Sequence, residues 1–354
     1  MAQNLPKLPD WEQVSTNIIR ILGGNPGKFT LQGTNTYLLG RGQQRLLIDT
    51  GQGENKWVDT LREVLRTQSP QPATVSTCLL SHWHHDHLGG VKDLESLCAD
   101  EGTELQVYKN QPSLNPDRLI DPDRVLEIVD GQHFIASSES EPDFEIEAIH
   151  TPGHAKDHMS FLITSSSDPS EIGAMFTADN VLGHGTAVFE DLGLYLESLA
   201  LMKQRVAASI AVQNTAGKTR RAYPGHGAVI EDAVSKIDEY ITHRRMREEE
   251  ALNVLRYGTA KNPDAPSQSV VRDSLTTVGE SDSESEMGVG GKEVAAGKAW
   301  TSMEMVKVIY RHYPENLYQP AEFGLLMVLE KLRRDGKVVK TSEGKWRMGE
   351  KATL

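Results

Sequence analysis

The segment Ser81-His82-Trp83-His84-His85-Asp86-His87-Leu88-Gly89-Gly90 packs four of the chain's twelve histidines into six residues, directly after the apolar run Val75 to Leu80. That run reads as a strand, so the first histidines leave it in an extended conformation. Side chains two apart then share a face, and His82 and His84 converge on one ion. Asp86 and His87 open a turn towards a helix and face a second ion. His85 lies between these groups and points away. Neutral imidazole and carboxylate are ordinary ligands for zinc and related metals. Standing alone, the motif would equally describe a solvated histidine-rich turn.

It does not stand alone. Three more titratable groups sit at strand ends further along: His154 in Thr151-Pro152-Gly153-His154, Asp179 after Ala174 to Ala178, and His226 in Tyr223-Pro224-Gly225-His226-Gly227. In both Pro-Gly-His turns, proline and glycine fix a tight backbone that presents one imidazole. One ring nitrogen can bind metal while the other is oriented by an acceptor. Asp49, ending Leu46-Leu47-Ile48, is either such an acceptor or a strand-terminating turn. His150 reads as a packing or hydrogen-bonding residue. His158 and His184 are candidates for the cleft wall, and Cys78 reads as core.

Around these groups, short β-rich runs at 18–22, 36–39, 45–49, 75–80, 144–149 and 174–176 alternate with helical periodicity. Trp57, Val58, Leu61, Val64 and Leu65 form one stripe, and Val91, Leu94 and Leu97 a second. Leu196, Leu199, Met202 and Val206 mark a third helix, and residues 229–257 a long fourth. Two successive halves of this kind predict an α/β fold, an αββα sandwich among the candidates. Composition breaks at 259. Residues 259–298 hold no aromatic side chain and abound in Ser, Gly, Asp and Glu, which reads as a disordered linker. Its Gly-Glu-Ser-Asp-Ser-Glu-Ser-Glu stretch is a solvated spacer or a docking site. Helices at 302–313 and 320–334, then a hairpin at 336–347, read as a winged-helix-like module. The expected organisation is 1–258 catalytic, 259–298 linker and 299–354 appended module. From 301 to 354 there are ten Lys/Arg against seven Asp/Glu, so the module either packs on protein or touches nucleic acid.

In its order of motifs, HxHxDH, TPGH, Asp and PGH, the chain resembles the metallo-β-lactamase superfamily over about residues 15–245. The resemblance implies the four-layer αββα metallo-β-lactamase sandwich. It implies that His82, His84 and His154 bind one metal, that Asp86, His87 and His226 bind the other, and that Asp179 bridges them. Ala178 stands where that family often has glycine, a change expected to leave ligation intact. Asn25 to Tyr37, Asp157-His158-Met159, Gly183-His184-Gly185-Thr186 and His243-Arg244 are similar to one branch. That branch holds fungal thioesterases that release polyketides from acyl carrier protein, and lactamase-β-like endoribonucleases.

Two cations about 3.5–4 Å apart lower the pKa of a shared water and make hydroxide available at pH 7. Asp86 is then both ligand and proton acceptor. The expected cofactors are two Zn2+, with manganese or iron as alternatives. The expected activity is attack of this hydroxide on a polyketide thioester held by an acyl carrier protein. A metal-dependent single-strand endoribonuclease is the alternative, and a metal-free scaffold a third reading. The formal charge of −13 disfavours a polyanionic partner. An acidic carrier would need a basic patch, for which Arg244, Arg245 and Arg247 are candidates against a solvated helix face. Nothing approaches the roughly 18 apolar residues of a membrane span. Two cysteines make no disulfide framework, and the first residues lack a signal core or presequence, so a cytoplasmic location is expected.

Overall fold

The central strands of the first sheet are near-continuous apolar runs rather than alternating ones because both faces of that sheet are covered. The computed structural model describes residues 5–68, 72–137, 142–212, 220–261 and 298–349. The first half runs β1 (Trp11–Ser15), β2 (Ile18–Leu22), β3 (Asn35–Leu39), β4 (Gln44–Ile48), α1 (Asn55–Thr67), β5 (Thr74–Leu80), α2 (His85–Leu88), α3 (Val91–Asp100), β6 (Gln106–Lys109) and β7 (Leu126–Glu127). The second runs β8 (His133–Ser137), β9 (Pro142–His150), β10 (Met159–Ser166), β11 (Met175–Ala178), α4 (Leu192–Val212), β12 (Ala222–Pro224) and α5 (Ala233–Tyr257).

The first seven strands form one sheet in sequence order, antiparallel from β1 to β4 and parallel from β4 to β7. The second sheet has the order β12-β11-β10-β9-β8, with β11 and β12 its one parallel pair. Ile18, Tyr37, Leu46 and Ile48 of the first sheet meet Phe144, Phe161, Phe176 and Tyr223 of the second. Tyr37 packs edge-on against Phe176 and Tyr223, with centroids 5.2 and 5.7 Å apart. The stripe of α1 and that of α3 cover the other face of the first sheet, over Leu38, Leu47, Cys78 and Leu80. Each such buried side chain contributes about 1.5–3 kcal/mol by leaving water. On the far side of the second sheet, Ser160 meets Met202 of α4, Oγ to Sδ 3.9 Å. The layers are therefore helix, sheet, sheet, helix.

Sequence reading missed β1, β6, β7, β8 and β10. β6 and β7 have four and two residues, too few to show a period. The long helix starts at Ala233, not 229, because Ile230 exchanges backbone hydrogen bonds with Ala222, 2.8 and 3.0 Å. Cys78 and Cys98 are buried free thiols. Among the described residues, no helix is long and apolar enough to cross a membrane.

The chain divides into two compact units, residues 1–190 with 194–240, and residues 191–193 with 241–354. The second holds α6 (Ser302–Ile309), α7 (Tyr318–Arg334) and the antiparallel hairpin β13 (Val338–Lys340) and β14 (Trp346–Met348). Helix α6 starts on a capping box, in which Thr301 and Glu304 each bond the other's backbone amide. It ends at Ile309, short of the expected 313, and Tyr310 N–H closes its last turn on the Val306 carbonyl, 2.8 Å. Leu325, Val328, Leu329 and Leu332 are the buried stripe of α7, and Lys331 pairs with Glu248 and Asp335 at 2.8 and 3.0 Å. The three-arginine patch does not form. Arg244 is buried, and Arg247 lies over Tyr310 and pairs with Glu250 at 2.9 Å. The expected linker falls almost wholly on residues 262–297, outside the described residues.

Candidate metal centre

All seven singled-out side chains come together where strands of both sheets end. His82 and His84 follow β5, and Asp86 and His87 lie on α2. His154 follows β9, Asp179 follows β11, and His226 follows β12. They form two groups, His82, His84, His154 with Asp179, and Asp86, His87 with His226, each with its candidate ligand atoms within 4.8 Å of one another. Asp179 reaches across both. Its Oδ2 lies 3.6 Å from His154 Nε2 and 3.4 Å from His226 Nε2, and its Oδ1 lies 3.4 Å from His87 Nε2.

Hydrogen bonds behind the site fix which nitrogens face it. Asp49, in the left-handed region at φ 61°, accepts from Ser81 N–H and Oγ–H, both at 2.8 Å, and from His87 Nδ1–H at 2.8 Å. Aspartate tolerates this backbone better than most residues. Because Ser81 donates to Asp49, its oxygen accepts from His82 Nδ1, 2.9 Å away. His154 Nδ1–H donates to the Val188 carbonyl at 2.8 Å. The Nε2 atoms of His82 and His154 are therefore bare lone pairs. Those of His82 and His154 stand 3.3 Å apart, and His84 Nδ1 lies 2.9 and 3.0 Å from them. His87 Nε2 and Asp179 Oδ1 are buried with no hydrogen-bond partner. Facing lone pairs and buried orphan acceptors are costly, and a cation satisfies all of them. The donor set thus fits a pair of metal ions.

Electrostatics separate the two groups. Burial, then the adjoining imidazoles, push His82 well below its ordinary value and His84 down to about 4, so both stay neutral. Burial also opposes charge on His87, but Asp179, Asp49 and Asp86 outweigh it and raise the ring well above its ordinary value. His226 is raised to about 9, because Asp179 outweighs the same burial. Asp86 and Asp179 are lowered in spite of burial, Asp86 chiefly by His87 and Asp179 chiefly by His226. Protons on His87 and His226 hold the positive charge that a cation would displace.

Supporting residues escaped sequence reading. Asn35 Nδ2 donates to the Pro224 and Gly227 carbonyls, 2.8 and 2.9 Å, and so clamps the turn that carries His226. Gly225 does more than tighten that turn. A Cβ there would sit 2.3 Å from Asp179 Oδ1 and 2.9 Å from His87 Cε1. Lys109 and Asp157 form a fully buried ion pair, and the Asp157 carboxylate also receives the Trp83 backbone between two candidate ligands. His158 is not on the cleft wall: it is fully buried. His85 is exposed, as expected, and His150 bonds the Lys156 carbonyl through Nε2 at 2.9 Å. Asp49 is legible from sequence as an acceptor at a strand end.

A sheet-on-sheet sandwich with two adjoining histidine–carboxylate cradles at its strand ends defines a metal-dependent hydrolase fold. The chain belongs to the metallo-β-lactamase superfamily, which it matches over residues 29–167, and it carries a β-lactamase-associated winged helix domain over residues 301–346. It is 38% identical over 335 residues to the lactamase-like protein adaB of Aspergillus niger, covering 95% of this chain and 86% of that one. It is 39% identical over 261 residues to the atrochrysone carboxyl ACP thioesterase of Aspergillus chevalieri, covering 74% and 73%. A β-lactamase domain protein from Burkholderia ambifaria shares the fold, with TM-score 0.65 at 16% identity over 98% of this chain and 96% of that one.

Proposed function

We propose that this chain is a dinuclear metal thioesterase that releases a polyketide acyl group from an acyl carrier protein. The observation that carries the reading is Asp179 reaching both imidazole groups, the arrangement needed to hold two cations side by side. The relatives named as acyl-carrier-protein thioesterases supply the substrate class. His82, His84 and His154 would hold one ion, Asp86, His87 and His226 the other, with Asp179 between them. Zinc suits this mixed nitrogen and oxygen set, with manganese or iron as substitutes. When bound, such a pair acidifies water and offsets negative charge on an acyl oxygen.

The chain's own residues do the rest. Asp86 stays ionised and accepts a proton at Oδ2, which lies 3.3 Å from His226 Nε2. A thiol of pKa about 8.5 departs as thiolate without strong acid assistance, so no separate acid is required. Val188 holds His154 through its carbonyl while its side chain is 61% exposed, which offers an apolar contact beside the centre. Trp83, whose ring packs on His84 at 4.3 Å and whose Nε1–H points to Glu190, offers another. The free buried thiols fit a reducing, cytoplasmic setting.

The test incubates metal-loaded protein with an acyl-carrier thioester and, separately, with single-stranded RNA. Thioester cleavage that His82→Ala abolishes is expected. RNA cleavage lost on the same substitution, without thioester turnover, would reverse the proposal.

A further inference from the structure

His158 is buried and bonded at both ring nitrogens, yet nothing assigned so far uses it. Its Nε2 accepts the Asp179 backbone N–H at 3.2 Å. The ring proton therefore sits on Nδ1 and donates to Thr151 Oγ1, 2.9 Å away. Thr151 in turn points its hydroxyl at Ser160 Oγ, 3.0 Å, and Ser160 Oγ reaches Met202 Sδ at 3.9 Å. Every proton in this chain has one direction, so the imidazole cannot exchange tautomers without breaking it.

The amide that His158 accepts follows a strained residue. Ala178 has φ 40°, in the left-handed region that side chains with a Cβ avoid. Its carbonyl is held by Gly225 N–H at 2.8 Å. The chain turns there out of β11, and the turn aims the Asp179 amide at His158 and its carboxylate at His87, His154 and His226. Strain of this kind persists only where the surroundings over-determine it.

We infer that His158 is a positioning residue: its tautomer-locked Nε2 holds the strained Ala178–Asp179 turn and so sets where the carboxylate shared by both cation groups stands. The inference rests on the metal-centre reading above. It also explains how alanine is tolerated at a turn better suited to glycine.

Suppression tests it. His158→Phe keeps a ring of similar shape and removes the acceptor. It is expected to weaken binding of one cation about 10–100-fold, the usual effect of losing an outer support of a ligand. Chelator competition measures the affinity, and the absorption spectrum of the Co2+-loaded protein reports the changed geometry. Ala178→Gly relieves the strain that His158 opposes. Its affinity alone is the reference, and combined with His158→Phe it should restore most of the loss relative to His158→Phe. A purely structural role would give no such rescue. Should His158→Phe not fold, Thr151→Val frees the imidazole tautomer and should weaken the same cation several-fold. Two tightly bound cations in His158→Phe, or no rescue by glycine, or unchanged affinity in a folded Thr151→Val where it is needed, would overturn the inference. Failure of the wild-type chain to bind two cations would instead overturn the metal-centre reading beneath it.

Discussion

Replacing Gly225 by alanine asks whether the geometry of Asp179 controls the centre. The added methyl would lie 2.3 Å from Asp179 Oδ1 and 2.9 Å from His87 Cε1. An ordinary non-bonded separation is roughly 3.5 Å, so the carboxylate must retreat by about 1.2 Å or the turn must open by as much. Metal–ligand distances hold to about 0.2 Å, a margin several times smaller than that retreat. The shared carboxylate is then lost as a ligand. Affinity for one cation should fall by more than about 100-fold, or roughly 2.8 kcal/mol. Metal content after dialysis against a calibrated chelator is the assay, with two ions per wild-type chain and one or fewer in the variant. Metal-free melting should fall as well, because Asp179 must then leave the His87 and His226 rings it pairs with. A variant that keeps two ions at wild-type affinity would refute the argument from space.

Asp157→Asn leaves the Lys109 ammonium buried without its counter-ion and should cost about 3–5 kcal/mol in urea unfolding, whereas Lys109→Met combined with Asp157→Leu should cost less; equal losses would show that the pair is not the cause. A third prediction concerns pH. His226 has its folded pKa raised from 6.5 to about 9, so the stability it contributes is full below pH 6.5 and lost as pH rises through 9. The urea midpoint of metal-free protein should fall across that window and that of metal-loaded protein should not, since a cation replaces the proton; a flat metal-free profile would contradict the charge assignment.

The site was more legible than the fold around it. The spacing of His82, His84, Asp86 and His87 is a local property, read from strand and turn geometry alone. His154 and Asp179 each follow a readable strand and His226 repeats the Pro-Gly-His turn of His154, so their strand-end positions were visible too. Their convergence was carried by the order of motifs. The helix stripes of α1 and α3 were plain because each buries one face. Strand β10 was hidden because its short buried run Met159-Ser160-Phe161-Leu162-Ile163 has no period that separates strand from helix. The role of Gly225 was out of reach, since it depends on an atom of Asp179 that approaches from another strand. His158 looked like cleft furniture because its sequence neighbours are polar, while its burial comes from Thr151 and Asp179, brought in by the second sheet.

The origin of the seven candidate ligands has a mechanical consequence. Four of them hang from the first sheet and three from the second. A bound cation pair would therefore add a clasp across the seam between the halves of the sandwich, beside the hydrogen bonds that Asn35 and Tyr37 already make to the Pro224 and Gly227 carbonyls. Stripping the ions would remove that one tie and leave the hydrogen-bonded seam in place, so the metal-free chain should keep its sandwich while its seven ligands loosen.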